Sequence, residues 1–600
     1  MSDTEARPGT GQAQSPGADA VAPPATPPTA AHRAAWAWLG ILLAIAAAVV
    51  LCYGELWRRG ASEVVPVVLV DDNEVASQAR IADASYEAWL VARHARTLLR
   101  HPTRLFDTEH CYPEKRSLTF GIPMIAMGME AIPASLVTRN PIAVYDATLA
   151  LQSVVAALAM VLLMSRWTGR RAAGLVAGLL FAFHPIRLLN ITYPTEWDLT
   201  WTVLALFFAE RLFAGGRWRD ALGLAAATSM QVATSFYPLL ASALLMPPFA
   251  AWLLLRRGRP RLALPQLATA GLLVALAAAL LLGPYLHARQ SEGIHAREMF
   301  FYATWNYYAP SGSLFPGWLV LGLVGVGLGA PRRLALPRLI GDPRLPLLLG
   351  AGAVAFVAAG YDTSLRLRDL GLDLPVFDPY AALAAILPGL DAVRGVFRLS
   401  SAVHLVFCIL AGAGSAALMQ LAGRRAALVS AAAVAAAFVA CFGAPLLGAS
   451  RGYRWSYEAV HPSAESIAFF ERLASMRDTG PLLELPIEGV QNVPSIVGVK
   501  RILLSGWHGR PTSACFGSFM PPARGALAAL AAGLPGRESI RAMRELGFTT
   551  LVIHHPAGLA AARPLLRSFD AAANEPDPPL RLLDEIEEMS AYALVAEPPH

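Results

Sequence analysis

Residues 34–53 read AAWAWLGILLAIAAAVVLCY. Twenty residues without a charge are enough to carry a helix across the hydrocarbon core of a bilayer. A signal peptide is the competing reading. The long preceding tail and the lack of a small-x-small cleavage site favour an uncleaved anchor, and Cys52 follows Val-Val-Leu, a poor lipidation site.

The pattern repeats along the chain. Apolar runs lie near 142–165, 172–189, 199–214, 220–237, 239–255, 263–286, 314–330, 345–360, 400–421 and 425–447, giving about eleven spans with the first. Composition agrees. Of 600 residues, 49 are Lys or Arg and 43 Asp or Glu, 15% charged where a soluble chain carries about 25%; hydrophobic residues make up 55% and mean hydropathy is +0.46. This excludes a multidomain soluble enzyme, a coiled coil, collagen and wholesale disorder. The net charge of +6 does not require nucleic acid, because membrane proteins concentrate Arg in cytoplasmic loops.

Residues 1–33 are rich in Pro, Ala, Gly, Thr and Ser and read as a disordered cytoplasmic tail. Arginines then fall in every second loop: Arg166, Arg170 and Arg171; Arg211, Arg217 and Arg219; Arg256, Arg257, Arg259 and Arg261; Arg332, Arg333 and Arg338; Arg424 and Arg425. By the positive-inside rule those loops are cytoplasmic. The expected architecture is therefore an α-helical polytopic membrane domain over 34–450, with a large first outer loop at 54–140 and a small extracytoplasmic α/β domain over 451–600. In that domain SAESIAFFERLASM and ESIRAMRELG read as helices, and PLLELPI, RILLS, TTLVIHH and YALVA as strands. In the first loop, LTFGIPMIAMGMEAIPASLV is apolar but broken by Pro123, Glu130 and Pro133, so it is expected along the membrane surface. Of five cysteines, only Cys111 and Cys515 fall in expected aqueous regions; their spacing does not decide between free thiols and a disulfide.

The first outer loop holds Asp71, Asp72, Glu74, Asp83, Glu87, Asp107, Glu109, Glu114 and Glu130. Most read as a solvated face. Asp83 in DASYEAW and Glu109 in FDTEHCYP stand among aromatic rings, a setting that suits a sugar, whose apolar faces stack while its hydroxyls hydrogen-bond. Arg187, in FAFHPIRLLN, and Arg394 and Arg398, in LDAVRGVFRLSS, break the positive-inside rule by falling on the outer side. Guanidinium groups there suit a lipid phosphate, the plainer alternative being snorkelling to headgroups. TYPTEWDLTW adds Glu196 and Asp198 between Tyr193, Trp197 and Trp201, and Tyr237 in SFYP marks the next outer turn. GLVGVGLGA, Gly322 to Ala330, lies inside an apolar run, where small residues permit close helix packing rather than nucleotide binding. His94, His101 and His110 lack a metal-ligand spacing.

Taken together, DASYEAW, HPTRLFDTEHCYP, TGRRAAGLVAGLLFAFHPIRLLN, VRGVFRLSSAVHLVFCILAGAG, LLELPI and SGWHGRP resemble the GT-C superfamily of polyprenyl-phosphate-sugar-dependent glycosyltransferases, more closely its bacterial YfhO-like relatives. The resemblance covers roughly residues 35–560. It implies a transferase in the bacterial cytoplasmic membrane that moves a sugar from a polyprenyl-phosphate donor to a hydroxyl of a glycan, lipid or protein on the outer face. It further implies an outer-loop carboxylate as base, here Asp83 first and Glu109 second. Arg187, Arg394 and Arg398 would hold the phosphate, and His110, Glu196 and Tyr237 would line the substrate; a divalent metal stays open. After the family's FxFxPxR pattern, where histidines are usual, this chain has LLNITYPTEW. The rival readings are a lipid or polysaccharide transporter or flippase, which predicts charges at mid-membrane and internal repeats, and a non-enzymatic envelope assembly protein.

Overall fold

The computed structural model describes residues 30–257, 260–291, 300–310, 312–339, 341–372, 375–387, 389–443, 453–476, 479–487, 496–555 and 557–596. Residues 1–29 of the expected tail and 451–452 of the expected C-terminal domain lie outside the described residues. The chain divides into Met1–Leu43 and Ala44–His600.

Each of the eleven apolar runs is mainly helical over its described residues, 444–447 of the last lying outside them. Seven helices, Ala34–Arg59, Pro141–Thr168, Arg171–Leu188, Phe236–Leu255, Leu264–Ser291, Val396–Leu421 and Gly423–Phe442, are long and apolar enough to cross a membrane. An eighth span arises if Arg344–Ala359 and Asp362–Asp369, bent by 92°, count as one. The other runs form shorter helices, Thr200–Gly215, Trp218–Thr234 and Trp318–Gly329. This is a multi-pass membrane protein. Its helices meet where side chains are small: a Cβ on Gly327 would lie 2.3 Å from the Leu410 carbonyl oxygen, and one on Gly414 2.0 Å from that of Leu323. Of the glycines at 322–330, Gly327 thus serves helix packing, whereas a Cβ on Gly322, Gly325 or Gly329 would meet nothing within 4 Å.

Helix α1 (Ala30–Arg59) leads into strand β1 (Val64–Val70) and helix α2 (Glu74–Arg100), which begins at Asn73, whose side chain accepts from Ala76 N. The broken apolar segment forms two six-residue helices, Ile125–Glu130 and Ile132–Val137. Ile125 and Met127 are buried while Met129, Leu136 and Val137 are exposed, so it has one apolar face inward and a second one uncovered.

After the last span, strand β2 (Tyr453–Ala459) returns to pair antiparallel with β1. Strands β3 (Leu482–Leu485), β4 (Thr550–His554), β5 (Leu580–Glu585) and β6 (Met589–Leu594) form a second sheet in the order β3-β4-β6-β5, with β3 and β4 parallel. Alternation along β4 sends Leu551 and Ile553 to one core with Phe548, Leu566 and Phe569, and Val552 to another with Phe469 and Phe470. With both faces covered, this is an α/β arrangement. One expected strand is corrected: RILLS lies inside the helix Ile496–His508. A short apolar run cannot separate the two periods; here Val499, Ile502 and Leu503 are buried at helical spacing, and the helix packs along α2.

Cys111 and Cys515 form a disulfide, while Cys52, Cys408 and Cys441 are buried free thiols. The bond and the β1–β2 pairing place the first loop and the C-terminal region on one side of any membrane. An even number of crossings must separate them. The six long helices between meet this condition, as do ten when the four shorter ones also cross. Disulfide mapping by mass spectrometry should recover a Cys111–Cys515 peptide, and Cys111→Ser should lower stability by roughly 2–5 kcal/mol. Alkylation of both residues in unreduced, denatured protein would remove this link.

Candidate active site

Chain segments far apart in sequence converge on Arg398. This residue sits in the tight turn Val396–Ser400 that opens the helix Ser401–Leu421. Its Nη1 lies 2.7 Å from Glu196 Oε2, and the pair is nearly buried, with side-chain exposures of 14% and 5%. The guanidinium also lies over the rings of Tyr193 (4.5 Å), Tyr237 (4.8 Å) and Phe397 (5.4 Å), a cation–π setting that strengthens as water is excluded. Tyr237 fixes the turn, its hydroxyl accepting from Gly395 N at 3.3 Å.

Asp83 faces this group from α2. The Tyr193 hydroxyl donates to its Oδ2 at 2.8 Å, and the residue keeps partial exposure. Arg80, one turn earlier on α2, reaches over the Tyr193 ring at 5.8 Å and that of Tyr453 at 5.3 Å. Burial pushes the Asp83 pKa above the usual carboxylate value; the Tyr193 hydrogen bond and Arg398, Arg394 and Arg80 pull against that rise. Glu196 is pushed up to about 7, first by burial and also by Asp83, with Arg398 and Arg394 opposing. Glu87 follows Asp83 by one helical turn, is 2% exposed and takes a 3.4 Å hydrogen bond from the Tyr145 hydroxyl. Burial, then the charges of Glu196 and Asp83, hold its pKa well above the carboxylate range. Three carboxylates therefore crowd one buried guanidinium.

A second group adjoins the first through the 196–198 segment. Arg187 Nη2 lies 3.3 Å from Asp198 Oδ1. Asp198 also accepts from Thr200 N (3.0 Å), the Thr200 hydroxyl and Gln152 Nε2 (3.1 Å). Glu130 borders this pair, its pKa raised by burial and then by Asp198, with Arg187, Trp201 and Gln152 acting the other way.

Of the residues expected from sequence, Asp83, Glu196, Tyr237 and Arg398 come together. Arg394 is at the exposed rim, close enough to act on Asp83 and Glu196. Arg187 belongs to the Asp198 group. Glu109 lies elsewhere, 3.1 Å from Arg93, whose guanidinium also binds the carbonyls of Arg104, Leu105 and Asp107. His110 is fully buried between Thr108 and the Tyr86 hydroxyl; burial pushes it down to about 3, so it is neutral. His94 is turned to the Pro123 carbonyl oxygen at 2.9 Å. Among the described residues no three His, Cys, Asp or Glu side chains are grouped to hold a metal ion. Sequence reading missed Glu87, Arg80 and Glu130; the 80, 83, 87 spacing along one helix is the signal that marks the first two.

No protein-family model matches the chain, and no curated protein matches it. Among solved structures it is similar to the arabinofuranosyltransferase AftD from mycobacteria, at 16% identity and TM-score 0.47 over 93% of this chain. The chain spans 42% of that protein's length. It is also similar to ArnT from Cupriavidus metallidurans bound to undecaprenyl phosphate, at 12% identity and TM-score 0.43, covering 95% of this chain and 100% of that one.

The Glu196 environment has a sign that can be measured. A carboxylate whose folded pKa is raised from 4.5 to about 7 holds its proton in the folded state where the unfolded chain has lost it. Stability therefore falls as pH rises across that window. Thermal melts from pH 4.5 to 7 should show a shallower decline for Glu196→Gln than for the wild type; parallel curves would mean that Glu196 ionises normally.

Proposed function

We propose that this chain is an integral membrane glycosyltransferase of the GT-C kind, acting at the outer face of the cytoplasmic membrane on a polyprenyl-phosphate-linked sugar. The observation that supports it best is Asp83: a partly exposed carboxylate, braced by Tyr193 and set beside a buried, aromatic-lined guanidinium. That is the pairing a displacement at a lipid-linked sugar needs. A base must take a proton where a cation can receive a leaving phosphate.

In this reading Asp83 accepts the proton of the acceptor hydroxyl. The freed oxygen pair attacks the anomeric carbon, and the bond from that carbon to the phosphate oxygen breaks with its electrons going to the phosphate. A single displacement inverts the anomeric centre. Arg398 and the rim residue Arg394 stabilise the charge that develops on polyprenyl phosphate. Glu196 is the less suitable base because it is nearly buried against Arg398, and Glu87 because it is buried, with burial and two acidic neighbours raising its pKa well above the carboxylate range. Arg187, engaged by Asp198, braces the floor of the site rather than meeting the phosphate. The even count of crossings together with the arginine-rich alternate loops favours an outward-facing site and an outward-facing C-terminal region, with the N-terminus in the cytoplasm. The acceptor is a hydroxyl of a glycan, lipid or protein.

Mass spectrometry of lipid retained by the purified protein should find polyprenyl phosphate or its glycosyl form. With that donor, Asp83→Asn should lower transfer by about 10²–10⁴-fold, the usual worth of general-base help, while lipid retention persists. Glu109→Gln should keep transfer and lose stability, because it weakens the tie to Arg93. Near-normal transfer by Asp83→Asn would refute the assignment of the base.

A further inference from the structure

We propose that the short helices Asp362–Asp369 and Pro379–Ile386 lie flat in the headgroup layer of the outer leaflet, forming a lipid-surface contact beside the Arg394–Arg398 turn. The inference goes beyond sugar transfer and does not depend on it. It starts from a bend. The helix Arg344–Ala359 ends at Gly360 and the helix Asp362–Asp369 leaves at 92° to it. When the first helix runs across the bilayer, the second must run along its surface. Gly360 permits the corner: its φ is +54°, and a Cβ there would lie 2.3 Å from the Tyr302 ring.

The depth of the corner follows from three backbone hydrogen bonds. Ala303 N donates to the Ala358 carbonyl (2.8 Å), Phe301 N to that of Arg394 (2.7 Å), and Phe397 N to that of Phe301 (3.0 Å). The end of the crossing helix thus stands level with the turn that carries Arg398. The flat helix is tied to the same strip of chain, since Asp362 accepts from Trp305 N at 2.9 Å and Thr363 from Trp305 Nε1 at 3.1 Å.

Large apolar side chains stand uncovered at the ends of these helices and beside them, next to the exposed Arg366, Arg368 and Asp369. Leu370 is 78% exposed and Ile386 76%, with Leu365, Leu372 and Leu387 also exposed and Tyr361, Trp305 and Phe377 among them. Alternating with them, Arg366 lies 3.8 Å from Asp362 and 3.9 Å from Asp369, which keeps the charges of this helix locally balanced. Exposed leucine, isoleucine and aromatic side chains mixed with paired charges suit a bilayer interface. A lipid surface is the occupant rather than a protein because the helix begins directly after a crossing helix and at its level, so the interface reaches it without any partner having to dock. Balanced charge makes the contact one of apolar insertion, with no demand for anionic lipid.

The test is nitroxide depth measurement on the full chain in nanodiscs of phosphatidylcholine, with Leu370→Cys and Ile386→Cys each labelled and Glu575→Cys as a water-exposed reference. The native thiols Cys52, Cys408 and Cys441 are buried, and both new positions are exposed, so the label displaces no packed side chain. Relaxation by oxygen should exceed that by a water-soluble nickel complex at both sites, at headgroup depth, and should persist unchanged when phosphatidylglycerol is added. Nickel access equal to that at position 575, a depth at the bilayer centre, or shielding from both reagents would each overturn the proposal, assigning the helices to water, to a re-entrant loop or to a protein contact. None of these outcomes bears on Asp83.

Discussion

Arg398 is the constraint around which the candidate site is built. A guanidinium that is 14% exposed cannot remain without partners, because an uncompensated buried charge costs several kcal/mol. Glu196 supplies the opposite charge, and Tyr193, Tyr237 and Phe397 supply ring faces. These partners come from the 193–198 segment, the start of the Phe236–Arg257 helix and the turn before Ser401–Leu421, so satisfying one cation fixes the relative positions of several helix ends. Asp83 then enters from α2 through Tyr193.

The rest of the architecture holds α2 against that turn. On one side α2 packs along the Pro141–Thr168 helix, and on the other along Ile496–His508 from the C-terminal region. The β1–β2 ladder and the Cys111–Cys515 bond tie the loop before and after α2 to the same region. The C-terminal region is thereby a clamp on the helix that carries Asp83. Inside it, Glu484 is 1% exposed and takes a 2.7 Å hydrogen bond from His554 and another from Thr512. These bonds and the His554 and Arg501 charges overcome burial and hold its pKa down to about 2.

Much of this was legible in the sequence for identifiable reasons. Helical spans announce themselves because a bilayer requires some twenty apolar residues, and Arg394 and Arg398 were conspicuous because they sit where the positive-inside rule leaves few cations. Asp83 and Glu196 were picked out by neighbouring rings. Glu87 and Glu130 were not, because a solvated carboxylate and one buried against another segment look the same in one dimension. Glu109 and His110 have the same residue types around them as Asp83, but the loop turns them toward Arg93 and Tyr86. RILLS was misread because five apolar-rich residues carry no period, and the Cys111–Cys515 pairing joins positions separated by 404 residues, far beyond any local signal.

The 196–198 segment shows how one short turn handles two cations differently. Asp198 is held by Arg187, Thr200 and Gln152, so its carboxylate is tied in place with Arg187 beside it. Glu196 has Arg398 opposite it and Asp83 behind it, and its pKa of about 7 lets it exist in either form near neutrality. On the proposed reading this difference matters when a phosphate arrives. Glu196 can take up a proton and yield Arg398 to the phosphate without leaving a buried carboxylate unpaired. On that reading two acids separated by one tryptophan divide the work: Asp198 ties Arg187 in place, and Glu196 keeps Arg398 available.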